Sequence, residues 1–410
     1  MCYTSTMETE ELLTRGVANI IANKEELEKK LSAGKKLNVY LGIDPTSTRI
    51  HLGHAVVLRK LQAFAEAGHN VTFIIGDFTA LIGDTSDKES ERPALTVKEI
   101  RENFKTYQSQ AEKILDFSKI TVKYNSEWLR RLTFEEIVKL TQHFSVGDFA
   151  GRELIRKRLT ENKRVGLHEF LYPVMQGYDS YHLDTDVQVG GTDQTFNMQA
   201  GRTLQKDLRE KESFIITTPI LEGNDGRKMS KSWGNAIWLD DSPYDMYAKV
   251  MAVDDPLIVQ YFTLATSLPL DEISALETRL SEKKEHPMKA KKKLARQIVT
   301  ELYNQHDAEK AERAFENIVQ KDEVPSDIPT IVLQHAAIEK ATITEVLANT
   351  NLVLSKSDAK RLIEQGGVKV NEETINDFSQ KFITLVGGGE TTIQIGKRKF
   401  LKVKIQAHSE

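Results

Sequence analysis

The sequence predicts an α/β fold that is built on a parallel β-sheet and followed by smaller helical and α+β parts. Two short apolar runs, 38–43 and 71–75, enclose a segment of helical periodicity that begins near His51 and ends at Gly68. The alternation returns later, with helices at about 168–183 and 194–206 and apolar runs at 185–189 and 214–217. Because consecutive strand–helix–strand units place their strands in one direction, this order predicts a parallel sheet.

Length and composition indicate a soluble protein of two or three domains. The chain has 410 residues, of which 40% are hydrophobic and 28% charged, and it is too long for one compact core. No apolar stretch is long enough to cross a bilayer, so we expect no membrane partner. Residues 1–11 lack the apolar segment of a secretory peptide and are acidic, unlike transit peptides. Cys2 is the only cysteine, which excludes disulfide frameworks and Cys-based zinc sites and favours a cytoplasmic location.

The rest of the chain divides into an insertion, a helical region, a linker and a terminal module. Residues 95–165 are mainly helical and richly charged, as an insertion into the sheet domain would be, and 243–320 are helical and charged as well. Two prolines mark 322–329 as a linker. Beyond it, a basic helix at 355–364 and β runs at 368–370 and 399–405 form a small α+β module. We therefore expect three domains: 1–240 with the insertion, 241–330, and 342–410.

The pentapeptide Lys228-Met229-Ser230-Lys231-Ser232 has the character of a phosphate-binding loop. Its two ammonium groups stand three residues apart on a short polar stretch, with Gly226 before it and Gly234 after it. Such a stretch is suited to moving over a phosphate chain. The alternative interpretation is a solvated, lysine-rich surface loop.

The tetrapeptide His51-Leu52-Gly53-His54 lies at the start of a predicted helix that follows a predicted strand. The first turn of a helix leaves backbone N–H groups unpaired and carries partial positive charge, so a phosphate binds well there. Gly53 leaves room for a nucleotide against the backbone, and both histidines can donate to phosphate oxygens. A chance pair of surface histidines is the alternative. A zinc site is a poorer interpretation, since no third ligand of suitable spacing stands nearby.

Together the two motifs have the chemistry needed to activate a carboxylate with ATP. The carboxylate attacks the α-phosphorus in line while negative charge builds on the leaving pyrophosphate, so catalysis comes from positioning and cationic donors. Lys228 and Lys231 on a loop, facing His51 and His54 at a helix start, would supply that arrangement.

These motifs resemble the nucleotide-activating residues of class I aminoacyl-tRNA synthetases. Further stretches, in order over about residues 38–240, resemble the bacterial branch of the tyrosyl-tRNA synthetase family; they are 40–46, 81–84, 172–179 and 190–194. The resemblance implies a Rossmann-like catalytic domain and an ATP-dependent tyrosine–tRNA ligase that acts on tRNA(Tyr). Mg²⁺ would accompany ATP, without a metal site made by protein alone. The insertion, with Phe144-Ser145-Val146, would form a homodimer interface, and 241–330 would bind the anticodon arm.

The resemblance also assigns roles to individual side chains. Tyr40 and Asp179 match the positions that bind the phenolic hydroxyl of tyrosine. A carboxylate that accepts and a phenol that can donate suit that group. The positions that hold the substrate ammonium are matched by Asp84, Tyr172 and Gln176. Spacings of four and three residues place Tyr172, Gln176 and Asp179 on one helix face. The alternative is a partly polar helix flank.

Other positions match the nucleotide site of the family. The ATP and adenylate contacts would come from Gly42, Asp44, Gly53, Asp193, Gln194 and Lys231, with Thr46 beside His51 near the distal phosphates. Asp193 is equally suited to cap the helix that follows it. The chain departs from some relatives at Leu41 and Val57, which would change hydrogen bonding near the ribose but not the reaction.

The terminal module resembles an S4-type RNA-binding domain in its stretches 354–363 and 366–371. Its predicted RNA contacts are Lys356, Lys360, Arg361, Lys397 and Arg398. Contacts of this kind position RNA without reading its sequence and weaken with salt. A generic basic surface is the alternative.

Two other functions stay open at this point. The first is a tryptophan enzyme, which would share the fold, although the Tyr40–Asp179 pair and the S4-like tail argue against it. The second is an RNA-binding protein that has lost catalysis, against which the intact histidine and lysine motifs argue.

Overall fold

The computed structural model describes residues 6–45, 47–84, 96–230, 233–317, 330–350, 352–353, 355–386, 390–396 and 399–406. The chain divides into two units, Met1–Gln305 and His306–Glu410. Within the described ranges, no helix is both long enough and apolar enough to span a membrane.

The first unit is organised by a β-sheet, as the sequence predicts. Its strands are β1 (Asn19–Ile21), β2 (Asn38–Ile43), β3 (Asn70–Ile75), β4 (Ile120–Tyr124), β5 (Val187–Gly191) and β6 (Phe214–Thr218). In the described part of the chain these six strands have the order β1-β6-β5-β2-β3-β4. Strands β2 to β6 run parallel, and β1 pairs antiparallel with β6 at the edge. The predicted parallel α/β sheet is therefore confirmed.

The helices of this unit connect the strands and continue after the sheet. Those up to β6 are α1 (Thr6–Thr14), α2 (Lys24–Ser32), α3 (Leu52–Glu66), α4 (Val97–Ala111), α5 (Ser126–Leu129), α6 (Phe134–Thr141), α7 (Val146–Ala150), α8 (Glu153–Thr160), α9 (Leu167–His182) and α10 (Thr195–Arg209). After β6 come α11 (Pro243–Met251), α12 (Ile258–Ala265), α13 (Leu270–Ser281) and α14 (Pro287–Leu302). Helix α15 (Gln305–Phe315) begins at the boundary of the two units.

Helix α3 is held against the sheet by one apolar face. Leu52, Leu58 and Leu61 are fully buried. Burial of each such side chain stabilises the folded state by on the order of 1.5–3 kcal/mol. The helix ends before Gly68, whose φ of +82° is a left-handed conformation that glycine adopts without strain. Because the far end of α3 is fixed in this way, its first turn is a rigid platform.

In the described part of the first unit, two strands are present that the sequence does not predict. Residues 95–165 are mainly helical, as expected, but β4 lies among them and pairs with β3 along its whole length. Its sequence, Ile-Thr-Val-Lys-Tyr, is short and half polar because it is an edge strand. The other addition is β1, whose three residues are too few to give a periodic signal.

The second unit contains a smaller sheet. Its strands are β7 (Thr330–Gln334), β8 (Val368–Val370), β9 (Glu373–Thr374), β10 (Glu390–Ile395) and β11 (Lys399–Gln406), and its further helices are α16 (His335–Ile338), α17 (Ile343–Asn349) and α18 (Lys356–Glu364). In the described residues the strand order is β7-β11-β10-β8-β9. Phe382 and Leu347 lie in its core. The predicted helix at 355–364 and β runs at 368–370 and 399–405 are confirmed.

Strand β7 precedes residue 342, where the sequence analysis places the start of the terminal module, and it pairs parallel with β11. The predicted linker at 322–329 lies outside the described residues. The helices that follow residue 241 belong to the same unit as the large sheet up to Gln305. The three predicted domain boundaries stay predictions.

Candidate active site

A cavity of about 610 Å³ opens at the carboxyl ends of the parallel strands. Strands β2 and β5 are neighbours in the sheet although they are far apart in sequence, so the strand order reverses between them. Ligands bind at such reversal points in doubly wound sheets. The cavity walls include the predicted residues Tyr40, Gly42, Asp44, His51, Gly53, His54, Asp84, Tyr172, Gln176, Asp179, Asp193, Gln194 and Lys228.

The remaining predicted residues are placed as follows. Thr46 and Lys231 lie outside the described residues, as do Lys397 and Arg398. The two departures from the family, Leu41 and Val57, both line the cavity.

One end of the cavity, which we call its closed end, is lined by the buried residues Tyr40 and Asp179, and Gln188 is the strand partner of Tyr40. Tyr40 and Gln188 face each other in register on β2 and β5. The Tyr40 hydroxyl donates to Oε1 of Gln188 at 3.1 Å, and Nε2 of Gln188 donates to the carbonyl of Met198 at 2.9 Å. Burial, with the charge of Asp179 nearby, raises the pKa of Tyr40 well above its ordinary value. The phenol is therefore neutral and keeps its O–H hydrogen, which it can donate to a ligand in place of Gln188.

Asp179 lies at the same end and is held from two sides. Nε1 of Trp128 donates to its Oδ1 at 2.7 Å, and Nδ2 of Asn125 donates to its Oδ2 at 3.1 Å. Its side chain is only 4% exposed. Burial raises the pKa of Asp179 to about 8, despite the two donors that lower it. A carboxyl poised in this way gains from an additional donor, such as a ligand hydroxyl.

Asn125 connects Asp179 to a second carboxylate. It also donates to Oγ1 of Thr79 at 3.0 Å, and Thr79 in turn donates to Oδ1 of Asp44 at 2.6 Å. Gly76 is required beside this chain, since a Cβ there would lie 2.0 Å from Oδ1 of Asp44. The polar groups of this end therefore form one connected network.

Asp44 and a third carboxylate, Asp84, accept hydrogen bonds from other side chains of the cavity. Tyr172 donates to Oδ2 of Asp44 at 2.9 Å, so its hydroxyl is aimed at the strand end. Asp84 accepts from Nε2 of Gln194 at 2.9 Å and from Nδ2 of Asn197 at 3.3 Å. Together these groups make a negatively charged wall, which suits a ligand ammonium group.

The histidine motif lies at the start of α3, with His51 as the N-cap residue. The backbone N–H of His51 donates to Nδ1 of His54 at 3.4 Å, and the two rings stack with centroids 3.8 Å apart. Burial, with contributions from His54 and Lys228, lowers the pKa of His51 to about 2, so its imidazole is neutral at pH 7. A Cβ on Gly53 would lie 2.9 Å from Nδ1 of His51, which explains the glycine.

Lys228 reaches over the other end of the cavity. Its Nζ lies 3.9 Å from Oδ2 of Asp193, and the Lys228 side chain is 45% exposed. Asp193 belongs to the short 3-10 helix that follows β5. A long, exposed ion pair of this kind contributes little, about 0–1 kcal/mol. A phosphate can therefore compete with Asp193 for the ammonium group.

The sequence analysis missed several polar residues of this site. They are Asn125, Trp128, Gln188, Thr79 and Asn197. Asn125 and Trp128 follow directly after β4, so the missed strand concealed them. Gln188 carried a signal, because a lone amide inside the apolar run 185–189 must find a buried partner.

Three of the five predicted RNA contacts, Lys356, Lys360 and Arg361, lie on the exposed side of α18. Lys356 pairs with Glu345 at 2.9 Å and Arg361 with Asp358 at 2.6 Å. The ammonium of Lys360 lies 4.2 Å from the ring centroid of Phe378. These ion pairs are solvent-exposed and weak, so they leave the cations able to exchange partners.

Comparison with known proteins places these observations in a family. Residues 32–320 match the family model of tRNA synthetases class I (W and Y), and residues 344–381 match the S4 domain. A tyrosine–tRNA ligase from Carboxydothermus hydrogenoformans is 44% identical, over 96% of this chain and 97% of its own length. The tyrosine–tRNA ligase from Thermotoga maritima is 42% identical, over 96% of both chains.

Solved structures agree with this fold. A truncated mitochondrial tyrosyl-tRNA synthetase from Coccidioides posadasii superposes with a TM-score of 0.61 at 25% identity, covering 75% of this chain and 91% of that one. A tyrosyl-tRNA synthetase from Archaeoglobus fulgidus, solved with L-tyrosine, gives a TM-score of 0.60 at 24% identity over 75% of this chain and all of that one.

Proposed function

Because this chain belongs to the class I tRNA synthetases of the tryptophan and tyrosine family, we propose that it is the tyrosine-specific kind. It activates L-tyrosine with ATP to tyrosyl-adenylate and pyrophosphate. It then transfers the tyrosyl group to the 3′-terminal adenosine of tRNA(Tyr) with release of AMP. The observation that carries the proposal is the buried Tyr40–Asp179 pair at the closed end of the cavity.

Tyrosine is selected at that closed end. The substrate phenol donates to Asp179 and accepts from Tyr40, and Trp128 and Asn125 hold the carboxyl in place. Phenylalanine would leave both groups buried without their partner, which is costly. Tyrosyl enzymes are themselves the standard illustration of this rule of selectivity. A tryptophan side chain, with one ring N–H donor and no acceptor, would leave the Tyr40 hydroxyl unmatched.

The substrate ammonium binds the acidic wall. Asp84 provides the charge, while Tyr172 and Gln176 on α9 supply neutral acceptors. The hydroxyl of Tyr172 already donates to Asp44, so its oxygen can accept from the ammonium. This arrangement leaves the substrate carboxylate directed toward the phosphate end.

Activation takes place between the histidine motif and the lysine loop. His51, kept neutral by burial, and His54 donate N–H groups to phosphate oxygens at the start of α3. Lys228 and Lys231 stabilise the negative charge that develops on the leaving pyrophosphate. Gly42, Asp193 and Gln194 contact the ribose and adenylate, and the family resemblance assigns Thr46 to the distal phosphates.

Mg²⁺ enters with ATP in this proposal. Magnesium is usually held by one or two carboxylates together with substrate phosphates. Asp44 and Asp193, which line the cavity, provide oxygen ligands of the right kind. The ion would neutralise phosphate charge, while the residues above orient the reacting groups.

Transfer to tRNA uses the terminal unit. Lys356, Lys360 and Arg361 on α18, with Lys397 and Arg398, track phosphates of a structured arm. Double-helical RNA is recognised mainly by its shape and backbone, which suits such a surface. The helices of 241–330 would contribute to binding of the anticodon arm.

We place the enzyme in the cytoplasm as a homodimer. Large apolar side chains are exposed on the insertion and at the start of α9, namely Phe134, Val138, Val146, Leu159 and Leu167. Phe134 and Leu167 are each 81% exposed, which is unusual unless a partner covers them. Light scattering should give twice the monomer mass, and a monomer would contradict the dimer.

The deciding experiment is amino-acid-dependent exchange of labelled pyrophosphate into ATP, followed by charging of purified tRNA(Tyr). Exchange with tyrosine, and far less with tryptophan or phenylalanine, is expected. Preference for tryptophan would support the other branch of the family. RNA binding without any exchange by folded protein would indicate loss of catalysis.

A further inference from the structure

Asn235 is buried beneath the lysine loop and contacts that loop at several points. It is 3% exposed and follows the loop in sequence. The chain before the loop forms a tight turn, in which the N–H of Gly223 donates to the carbonyl of Arg227 at 2.7 Å. Gly226 in this turn has a φ of +72°, which a glycine adopts freely.

The amide of Asn235 ties the two arms of the loop together. Its Nδ2 donates to Oδ1 of Asp225 at 2.7 Å and lies 3.2 Å from the carbonyl oxygen of Lys228. Its Oδ1 accepts from the backbone N–H of Ser230 at 2.9 Å. We call Asp225, Lys228, Ser230 and Asn235 the loop clasp.

The clasp requires an amide in this place. Only a side chain that donates and accepts at once can satisfy a carboxylate, a carbonyl and an N–H together. The Asn235 side chain also packs closely against Gly223, since a Cβ on Gly223 would lie 2.4 Å from Nδ2 of Asn235. Asp225 is itself fixed by Arg227, whose Nε donates to Oδ2 at 2.9 Å. These bonds lower the pKa of Asp225 to about 2, so it is ionised at neutral pH.

We propose that Asn235 is a positioning residue for the activation step, which sets the backbone of Lys228 so that its ammonium crosses the cavity toward Asp193. The inference rests on the proposed function. Fixing the backbone on both sides of Met229 removes part of the entropy cost of ordering the loop around the triphosphate. Asn235 lies outside the recognised pentapeptide and does not line the cavity, so it acts through Lys228.

The test compares Asn235→Asp with Asn224→Asp in tyrosine-dependent pyrophosphate exchange. Asn235→Asp keeps the shape and the acceptor for Ser230 but loses both donors and faces Asp225 with like charge. We expect kcat to fall about 10- to 100-fold, corresponding to one or two lost hydrogen bonds at 1.4 kcal/mol per tenfold. The KM for ATP should rise, and the KM for tyrosine should stay within about twofold. Asn224→Asp adds the same charge to the same turn and should leave all three constants near wild type.

A second pair of variants keeps the test decisive if Asn235→Asp folds poorly. Asp225→Ala removes the hydrogen bond from Asn235 together with those from Arg227 at the exposed turn, and it should lower kcat by about three- to tenfold. The exchanged pair Asp225→Asn with Asn235→Asp restores a donor–acceptor contact and should recover part of the loss, as coupled residues do.

Other results would overturn the proposal. An unchanged kcat and ATP KM in folded Asn235→Asp would show that the clasp does not position Lys228. Equal rises in the tyrosine and ATP KM values, with a lowered melting temperature, would indicate a purely structural role. If wild-type protein shows no exchange, the proposed function itself fails, which is a separate outcome.

Discussion

The two ends of the cavity hold their polar side chains in different ways. At the amino-acid end, Asp179 is buried and receives hydrogen bonds from Trp128 and Asn125. At the phosphate end, Lys228 is 45% exposed and its Nζ lies 3.9 Å from a carboxylate oxygen of Asp193. The first arrangement is buried and closely hydrogen-bonded, whereas the second is exposed and includes a long ion pair.

This difference corresponds to two separate tasks. Choosing tyrosine over phenylalanine requires polar groups whose loss of a hydrogen-bond partner costs free energy. Such groups must be held rigidly and kept away from water. Stabilising a leaving pyrophosphate requires cations that are free to follow a charge as it forms. Variants at the two ends should therefore change different kinetic constants.

The largest effect is expected from Asp179→Asn. The amide keeps the shape but presents an NH₂ group to one of the two donors, so the local network cannot be satisfied. We expect kcat/KM for tyrosine to fall on the order of 10³-fold, or about 4 kcal/mol, because the buried hydrogen bond to the substrate phenol and the side-chain contacts that support it are lost together. The KM for ATP should change by less than about threefold. Pyrophosphate exchange measures both, with Asp271→Asn on α13 as a surface control.

The next effect concerns the pH dependence of stability. The pKa of Asp179 is about 8 in the folded chain against an ordinary value of 3.8. Since the pKa of Asp179 is raised in the folded chain, its contribution to the free energy of unfolding is fully present below pH 3.8. This contribution is lost as the pH rises to about 8. The free energy of unfolding should therefore decrease by a few kcal/mol, on the order of 2–5, over this window.

Urea denaturation at pH 5 and pH 8.5 checks this expectation. Asp179→Asn should remove that part of the decrease, while Asp271→Asn should retain it. Identical pH profiles for wild type and Asp179→Asn would show that the buried carboxyl is ionised throughout.

A smaller effect is expected from Lys228→Met, which keeps the length of the side chain but removes its charge. The kcat of exchange should fall about 10- to 100-fold, consistent with loss of one charge-assisted contact worth 1.5–3 kcal/mol. The KM for tyrosine should stay within about twofold, because the amino-acid end is untouched. A rise in tyrosine KM as large as the fall in kcat would contradict the separation of tasks.

The smallest effects should come from the terminal unit. Changing Lys356, Lys360 or Arg361 singly to Gln should weaken tRNA binding by about two- to fivefold and reduce its salt dependence. Pyrophosphate exchange without tRNA should not change. Filter binding at several salt concentrations tests this, with Lys340→Gln in the same unit as a control of equal charge.

Features of this site that depend on neighbouring residues in the sequence could be predicted, whereas those that depend on contacts between distant segments could not. The elements β2, α3 and α9 were predictable because local periodicity defines them, and Gly68 also marks the end of α3. The positions of Tyr40, Asp179 and the histidine motif were also predictable, from recognisable short stretches. Their function as assigned remains a prediction.

What supports those residues was not predictable, for a physical reason. Asn125 approaches Asp179 only because β4 joins the sheet beside β3, which is a contact between distant segments. Gln188 supports Tyr40 only through the parallel register of β2 and β5. Asn235 gives no local signal, since its partners lie on both sides of a loop. Pattern reasoning locates the residues that touch a ligand better than those that hold them.

The central claim is that one end of the cavity chooses the amino acid and the other end sets the rate. The most direct measurement is the ratio of kcat/KM for tyrosine to that for phenylalanine in pyrophosphate exchange, compared between Asp179→Asn and Lys228→Met. We predict that Asp179→Asn collapses this ratio, while Lys228→Met lowers both values equally and leaves the ratio within about twofold of wild type. A ratio that falls as far in Lys228→Met as in Asp179→Asn would contradict the account.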